Sequence, residues 1–320
     1  MGGTVNRGRP PAASLAGAGQ DRVVRSAAIV VNSTRVRGMA AFRQACRSAA
    51  VAGGWQLQFA ETTVDDRGAG LARGAVAAGA SLVIAAGGDG TVRACAHALA
   101  DTPVPLAILP LGTANLAARA LGVPHRSAAA LATAFGGRER RIDLALADLG
   151  DGAGGLTFVA MAGIGLDAEV VAATPHLIKR RAGWPAYAAA GAARLAGRRT
   201  RFTITLDAGE PMTWQARSVV VGNVGLLPGG FRLLPAALLD DGQLDVGILA
   251  PAGPADWLRV GARVLSGRTH DDQRLARFRA RRIEIRAGQR LPREVDGEVV
   301  TPGRRLTVTL RPLALAVCVP

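Results

Sequence analysis

Five residues, Gly87-Gly88-Asp89-Gly90-Thr91, follow an apolar run and open a helical pattern. Glycines at such a strand-to-helix turn let backbone N–H groups close around a phosphate, and the helix N-terminus adds partial positive charge. A carboxylate inside a phosphate loop repels its ligand unless it holds a cation or a proton. Asp89 therefore reads as a metal-side or acid–base residue, although a tight turn with a capping Asp would use the same residue types. A second loop, Leu109-Pro110-Leu111-Gly112-Thr113-Ala114-Asn115, also joins an apolar run to a helical one. Thr113 and Asn115 offer neutral hydrogen bonds to phosphate or ribose, and Asn115 could equally cap its helix. Two more carboxylate turns stand at Asp240-Asp241-Gly242 and Asp296-Gly297-Glu298. Each of these, taken singly, is an ordinary turn signal.

Such loops need a sheet to hold them. Ala27–Val31, Gln56–Ala60, Ser81–Ala86 and Pro105–Leu109 read as strands. They alternate with helical stretches at Met39–Ala52, Gly70–Ala78, Thr91–Leu99, Asn115–Leu121 and Ser127–Phe135. That rhythm predicts a doubly wound α/β fold with a mostly parallel sheet. Ligands bind such sheets outside the carboxyl ends of the strands, so the two loops would face one crevice. After Arg138 the period becomes two, at Arg140–Asp148, Phe202–Leu206, Trp214–Val221, Leu244–Leu249, Ile283–Arg286 and Leu306–Leu310. The second half is thus expected to be mainly antiparallel β, a sandwich, interrupted by a helical insert over 167–197. The expected organisation is a tail over 1–22, an α/β domain over 23–140 and a β-sandwich over 141–305, with 306–320 free to return to the first domain.

Composition narrows the chemistry. The 320 residues (32.8 kDa, 49% apolar) suffice for about two domains at roughly 100–200 residues each. The apolar fraction and aperiodic glycines exclude disordered and collagen-like chains. The net charge of +15 is nearly all arginine, because Lys179 is the one lysine in the chain. It is followed by Arg180 and preceded by Ile178, so no Gly-Lys-Ser/Thr phosphate loop exists. Cys46, Cys95 and Cys318 are too scattered for a disulfide framework or zinc, and the four histidines share no metal-like spacing. A reducing, cytoplasmic setting is expected. The first twenty residues have no apolar core for an export signal, and no window is long enough to span a membrane.

The ordered set of motifs resembles the diacylglycerol kinase catalytic family, lipid kinases that include bacterial diacylglycerol and sphingosine kinase-like enzymes. The resemblance covers about residues 25–318. It rests on Gly87–Thr91, Pro110–Asn115, Ala118-Arg119, Leu121–Pro124, Arg141-Ile142-Asp143 and Gly163–Ala168, then on Asn223, Gly229-Gly230, Pro235 through Gly242, and Val295–Glu298. The first motif is shared with other kinases, whereas the ordered set is specific. The resemblance implies ATP bound between an α/β domain and a β-sandwich. On that footing Asn32, Thr62 or Thr63, Gly87, Gly88, Asp89, Gly90, Thr91, Gly112, Thr113 and Asn115 would line the nucleotide. Glu298 would be the general base that takes the proton of a lipid hydroxyl. Asp241 would hold Mg2+, helped by the carbonyls of Leu238 and Gln243. Asp89 and Asp143 would join a carboxylate–water network leading to that metal.

Three positions depart from the common pattern. No proline follows Asn32, Arg93-Ala94 stands where Asn-Glu is frequent, and Leu116 replaces an Asp that often follows Asn115. The stretch Val170–Leu206 has no acidic residue but carries Lys179, Arg180, Arg181, Arg194, Arg198, Arg199 and Arg201 around Trp184 and Tyr187. A basic segment with interfacial aromatics suits an anionic membrane surface, and a solvated basic helix would look the same. The expected enzyme is therefore an ATP- and Mg2+-dependent lipid kinase, cytoplasmic and peripheral on the inner membrane face. Its acceptor would be a lipid alcohol, no nucleic acid is expected as partner, and a homodimer stays open. An NAD kinase-like phosphotransferase is the nearest alternative, though its later Asn-Glu pair is absent here. Gly163–Ala168 could suggest an oxidoreductase, but the acidic ribose ligand some 20 residues on is missing. A basic nucleic-acid- or membrane-binding protein rests on charge alone.

Overall fold

The structure is a computed structural model and describes residues 25–152, 154–165, 199–226, 232–266, 270 and 272–320. The helical insert over 167–197, the basic cluster around Lys179 and Gly229-Gly230 lie outside the described residues. Strands β1 (Arg25–Val31), β2 (Trp55–Glu61), β3 (Leu82–Gly87) and β4 (Leu106–Pro110) pair in parallel in the order β4-β3-β1-β2. Helices α1 (Met39–Ala52), α2 (Ala69–Ala77), α3 (Asp89–Leu99), α4 (Leu116–Ala120) and α5 (Ser127–Gly136) alternate with them or follow. β3 is buried at every residue, as a parallel strand covered on both faces must be. α3 buries Thr91, Val92, Cys95, Ala96 and Leu99, the three-and-four spacing of one helix face.

The second half is antiparallel. It comprises β5 (Arg138–Asp148), β6 (Leu156–Phe158), β7 (Met161–Gly165), β8 (Thr200–Leu206), β9 (Met212–Ala216), β10 (Ser218–Gly222), β11 (Leu244–Leu249), β12 (Leu275–Ala280), β13 (Arg282–Val295) and β14 (Glu298–Val319). The architecture is an α/β layer followed by a β-sandwich-like half, joined through β14, which pairs with β13, β5 and β4. Two apolar cores result. β14 supplies Leu306, Val308 and Leu310 to the second core and Leu315, Val317 and Val319 to the first. The strand changes core at a register shift between Arg311 and Leu315, where Leu313 takes a left-handed φ of 48°.

Some elements differ from the sequence reading. Trp214–Val221 is two strands, not one. Arg217 breaks it, turning its buried guanidinium onto the carbonyls of Pro251 and Ala252. The chain thereby leaves β8 and joins β7 and β11. Ile283–Arg286 and Leu306–Leu310 are short pieces of strands 14 and 22 residues long. The period of two fails outside those pieces, at the exposed centre of β13 (288–290), over the largely exposed start of β14 (298–305) and along its continuously buried end (314–319). Helix α6 (Pro254–Ser266) and β12 were not foreseen; α6 packs buried Val260 and half-buried Val264 against the first core, the four-residue spacing of one helix face.

Candidate active site

The parallel order sets four strand ends in one row. Val31 stands beside Ala86 and Glu61, and Gly87 stands beside Pro110. The ladder continues one residue further: Asn32 N–H donates to Ala86 O at 2.9 Å, Thr62 N–H to Val31 O at 2.9 Å, and Leu111 N–H to Gly87 O at 2.8 Å. Asn32, Thr62 and the glycine loops thus share one edge. The Asn32 side chain is used locally, its Oδ1 accepting from the Thr34 hydroxyl at 2.7 Å. Thr63 Oγ1 accepts from Asp66 N–H at 3.0 Å, and Asp66 accepts the N–H groups of Gly68, Gly70 and Leu71 at the start of α2.

The two loops touch backbone to backbone. A Cβ on Gly112 would stand 2.5 Å from Gly88 Cα, closer than any side chain tolerates. Asn115 holds the second loop from a left-handed φ of 47°, its Oδ1 accepting from Gly112 N–H at 2.9 Å and its Nδ2 donating to Gly112 O at 2.8 Å. Asp89 Oδ1 accepts from Leu116 N–H at 2.7 Å and so ties the first loop to the start of α4. Burial raises the Asp89 pKa, the N–H groups of Leu116, Asn115 and Ala117 lower it, and the net shift is upward. Thr91 is buried and Thr113 exposed.

Glu298 begins β14 after a tight turn in which Asp296 (φ 49°) and Gly297 (φ 77°) are both left-handed. The turn is anchored by Asp296, which accepts the N–H groups of Val159, Ala160 and Met161 at 3.0, 2.8 and 3.0 Å. Burial pushes the Asp296 carboxyl up to about 6 against those bonds and the nearby Arg93 charge. Arg93 Nη1 donates to Val295 O at 2.9 Å, while its Nη2 pairs with Glu298 Oε2. Arg67 pairs with the other Glu298 oxygen. Arg93 lies one helical turn beyond Asp89, so α3 presents the glycine loop from its first turn and grips Glu298 from its second. Burial raises the Glu298 pKa, Arg67 and Arg93 lower it, and the net shift is downward.

Asp143 is placed elsewhere. It is fully buried, with Oδ1 accepting from Leu313 N–H at 2.7 Å and Oδ2 from Gly242 N–H at 2.8 Å. Each oxygen holds one backbone N–H, so Asp143 ties the Asp241 turn to the β14 irregularity. Asn223, buried, donates to Asp143 O at 2.8 Å and braces the same point.

Leu238, Asp241 and Gln243 lie in one turn. Asp241 Oδ1 accepts from Gln243 N–H at 3.1 Å, and Oδ2 pairs with Arg279. Buried Asp245 Oδ2 has no hydrogen bond; Arg279 Nε stands 3.5 Å away, an ion-pair distance only. Burial pushes Asp245 up to about 6, with Arg279 pulling it down and Asp241 pushing it up. Two carboxylates, one with an orphaned oxygen, are hard donors of the kind magnesium takes. Among the described residues no three His, Cys, Asp or Glu side chains form a metal group, so a cation here would also draw on carbonyls and water and displace Arg279 from Asp241. A cavity of about 190 Å³ beside this turn is lined by Leu226, Leu234, Leu238 and Leu239 with Arg140 and Arg232, and takes no residue from the Gly87–Thr91 loop.

Residues 26–147 match the family described as diacylglycerol kinase catalytic domain, and residues 160–319 match the YegS C-terminal NAD kinase beta sandwich-like domain. A Pseudomonas fluorescens protein named "probable lipid kinase YegS-like" is 38% identical over 271 residues, 84% of this chain and 87% of that relative. The chain belongs to the diacylglycerol kinase family. As a member it is a lipid kinase. A diacylglycerol kinase of Bacillus subtilis is 32% identical over 221 residues, 68% of this chain and 71% of that one. The crystal structure of a diacylglycerol kinase from Bacillus anthracis superposes with a TM-score of 0.70 at 22% identity, covering 93% of this chain and 97% of that one. An NAD kinase from Archaeoglobus fulgidus in complex with ATP shares the fold at a TM-score of 0.51 and 12% identity, covering 92% and 93%. The NAD kinase-like alternative is thus a distant relation of fold.

Arg67, Arg93 and Asp296 escaped the sequence reading as site residues. Arg93 stood out only as a departure from family pattern. Its spacing of four from Asp89 on one helix was the available signal.

Proposed function

We propose that this lipid kinase transfers the terminal phosphate of ATP to the hydroxyl of a membrane lipid, diacylglycerol or a sphingoid base being the acceptor classes. The observation that carries the reading is α3, whose first turn is the glycine loop and whose second turn holds Glu298. Backbone N–H groups of Gly87–Thr91 and of the Gly112–Asn115 loop cradle the phosphates. Glu298 takes the hydroxyl proton as the lipid oxygen bonds to the terminal phosphorus and the bond to the leaving ADP oxygen breaks. Magnesium accompanying the nucleotide neutralises phosphate charge. Asp241, with Asp245 and the carbonyls of Leu238 and Gln243, would hold a second cation, which would brace the turn next to Asp143.

The substrate requires a membrane. Among the described residues no helix is long and apolar enough to cross one. The acid-free segment 170–206, most of it outside the described residues, is the proposed contact with an anionic cytoplasmic surface. Labelled-phosphate transfer from ATP to a panel of lipid alcohols, with NAD as control, tests the reading. Wild type transfers to lipid and not to NAD. Glu298→Gln loses about 10²–10⁴ in rate, the usual contribution of a general base. Phosphorylation of NAD alone would overturn the function, and an undiminished Glu298→Gln rate would remove Glu298 from its role.

A further inference from the structure

The chain has to meet a nucleotide polyphosphate with almost no lysine. Lys179 is its one lysine and lies outside the described residues. At the edge where the phosphate loops converge, two arginines reach toward one carboxylate. Arg67 follows Thr62 and Thr63 past the end of β2, in a loop fixed by the three N–H bonds to Asp66. Arg93 is on α3, one turn beyond the glycine loop, with its side chain only 15% exposed. Each takes a different oxygen of Glu298, so the carboxylate is occupied on both sides.

That arrangement is a poor resting state for a base and a good template for a phosphate. A carboxylate clamped by two guanidiniums resists protonation, whereas a general base must accept a proton. A phosphate, with three peripheral oxygens and more charge, is the stronger partner for the same planar forks. We infer that Arg67 and Arg93 are the ligands of the terminal phosphate of the nucleoside triphosphate, and that Glu298 occupies their forks until that phosphate arrives. Binding of the triphosphate then moves the two guanidiniums from carboxylate to phosphate and frees Glu298 for the lipid hydroxyl. Arg93 keeps its place meanwhile through its bond to Val295 O. Because one pair of arginines serves both groups, the base becomes competent only when there is a phosphate to transfer. The inference rests on the kinase reading above and adds to it the residues that distinguish ATP from ADP.

The test is the ratio of ATP to ADP affinity, measured by calorimetric titration of the full chain in the absence of lipid. Arg67→Gln and Arg93→Gln remove the charges, while the amide introduced at position 93 can still donate to Val295 O. Each variant is expected to weaken ATP by about five- to tenfold, the scale of a charge-assisted pair, and to leave ADP within about twofold. Glu298→Gln removes the competitor, so ATP should bind about three- to tenfold more tightly while transfer is lost. In the Arg67→Gln/Arg93→Gln background that tightening should vanish. The inference is overturned if the ATP:ADP ratio is unchanged in both arginine variants, or if Glu298→Gln tightens ADP as much as ATP. It also fails if the tightening survives in the triple variant. Should Arg93→Gln not fold, Arg67→Gln alone decides, since that side chain is 60% exposed and bonds to Glu298. A wild type that binds neither nucleotide and phosphorylates no lipid would defeat the kinase reading itself, an outcome distinct from binding without discrimination.

Discussion

Replacing Asp143 separates a structural role from a chemical one. Its two oxygens satisfy the N–H groups of Leu313 and Gly242 at a site with no solvent access. Asp143→Ala strands both donors, and a buried donor without a partner costs about 1–3 kcal/mol, so the loss should be about 2–6 kcal/mol. Against a typical stability of about 5–15 kcal/mol this is a large fraction. Asp143→Asn keeps one acceptor and turns an amide N–H toward the other donor, so about half the loss is expected. At about 2–4 °C per kcal/mol, Asp143→Ala should lower the thermal midpoint by roughly 4–24 °C. Circular dichroism reads the midpoint, and amide hydrogen exchange reads the site, with Leu313 and Gly242 losing protection first. An unchanged midpoint together with unchanged exchange at those two amides would refute the reasoning. So would an Asp143→Asn variant that keeps its midpoint but loses phosphoryl transfer, because the residue would then belong to the chemistry.

Asp296 gives a pH signature. Burial raises its pKa from 3.8 to about 6 in the fold, so the folded chain holds a proton that the unfolded chain releases. Its contribution is fully present below about pH 4 and is lost as pH rises to about 6, up to about 3 kcal/mol at 1.36 kcal/mol per unit. Urea unfolding at several pH values should show a smaller downward slope in Asp296→Asn than in wild type, the remainder coming from Asp245, which burial also raises to about 6; equal slopes would contradict the assignment. Gly112→Ala puts a Cβ 2.5 Å from Gly88 Cα and should force the loops apart. Nucleotide affinity is then expected to fall tenfold or more, read by titration, while the far-ultraviolet spectrum is kept, since overpacking typically costs about 1–3 kcal/mol. Magnesium should raise the thermal midpoint of wild type by a few degrees, and Asp241→Asn should abolish that rise, as mass-action stabilisation by a bound ion requires.

The α/β half was legible because its signals are local. Helix α1 has the bounds read from sequence, and β1, β3 and β4 each carry a buried apolar run, while β2 at the sheet edge alternates half-buried and exposed residues. The glycine loops were legible as well, since only Gly fits where Gly88 and Gly112 meet. What escaped was set by partners distant along the chain. Asp296 looks like a turn residue until its three N–H donors, about 135 residues earlier, come into place. Arg67 and Arg93 gain meaning only opposite Glu298, more than 200 positions away. β13 and β14 were read as fragments because alternation holds only over part of each: β13 loses it at its exposed centre, 288–290, and β14 keeps it at 306–310 between a largely exposed start and a continuously buried end.

β14 carries a consequence for how the protein can be made and divided. Val317 completes the parallel sheet beside Leu106, and Leu315, Val317 and Val319 fill the core of the first half. During synthesis the nucleotide half must therefore wait, with the edge of β4 open, until a strand encoded more than 200 residues later is released. The boundary between the two family matches near residues 147–160 is accordingly not a place to cut. A fragment ending there would expose an unpaired strand edge and an unfilled apolar face, the usual start of aggregation.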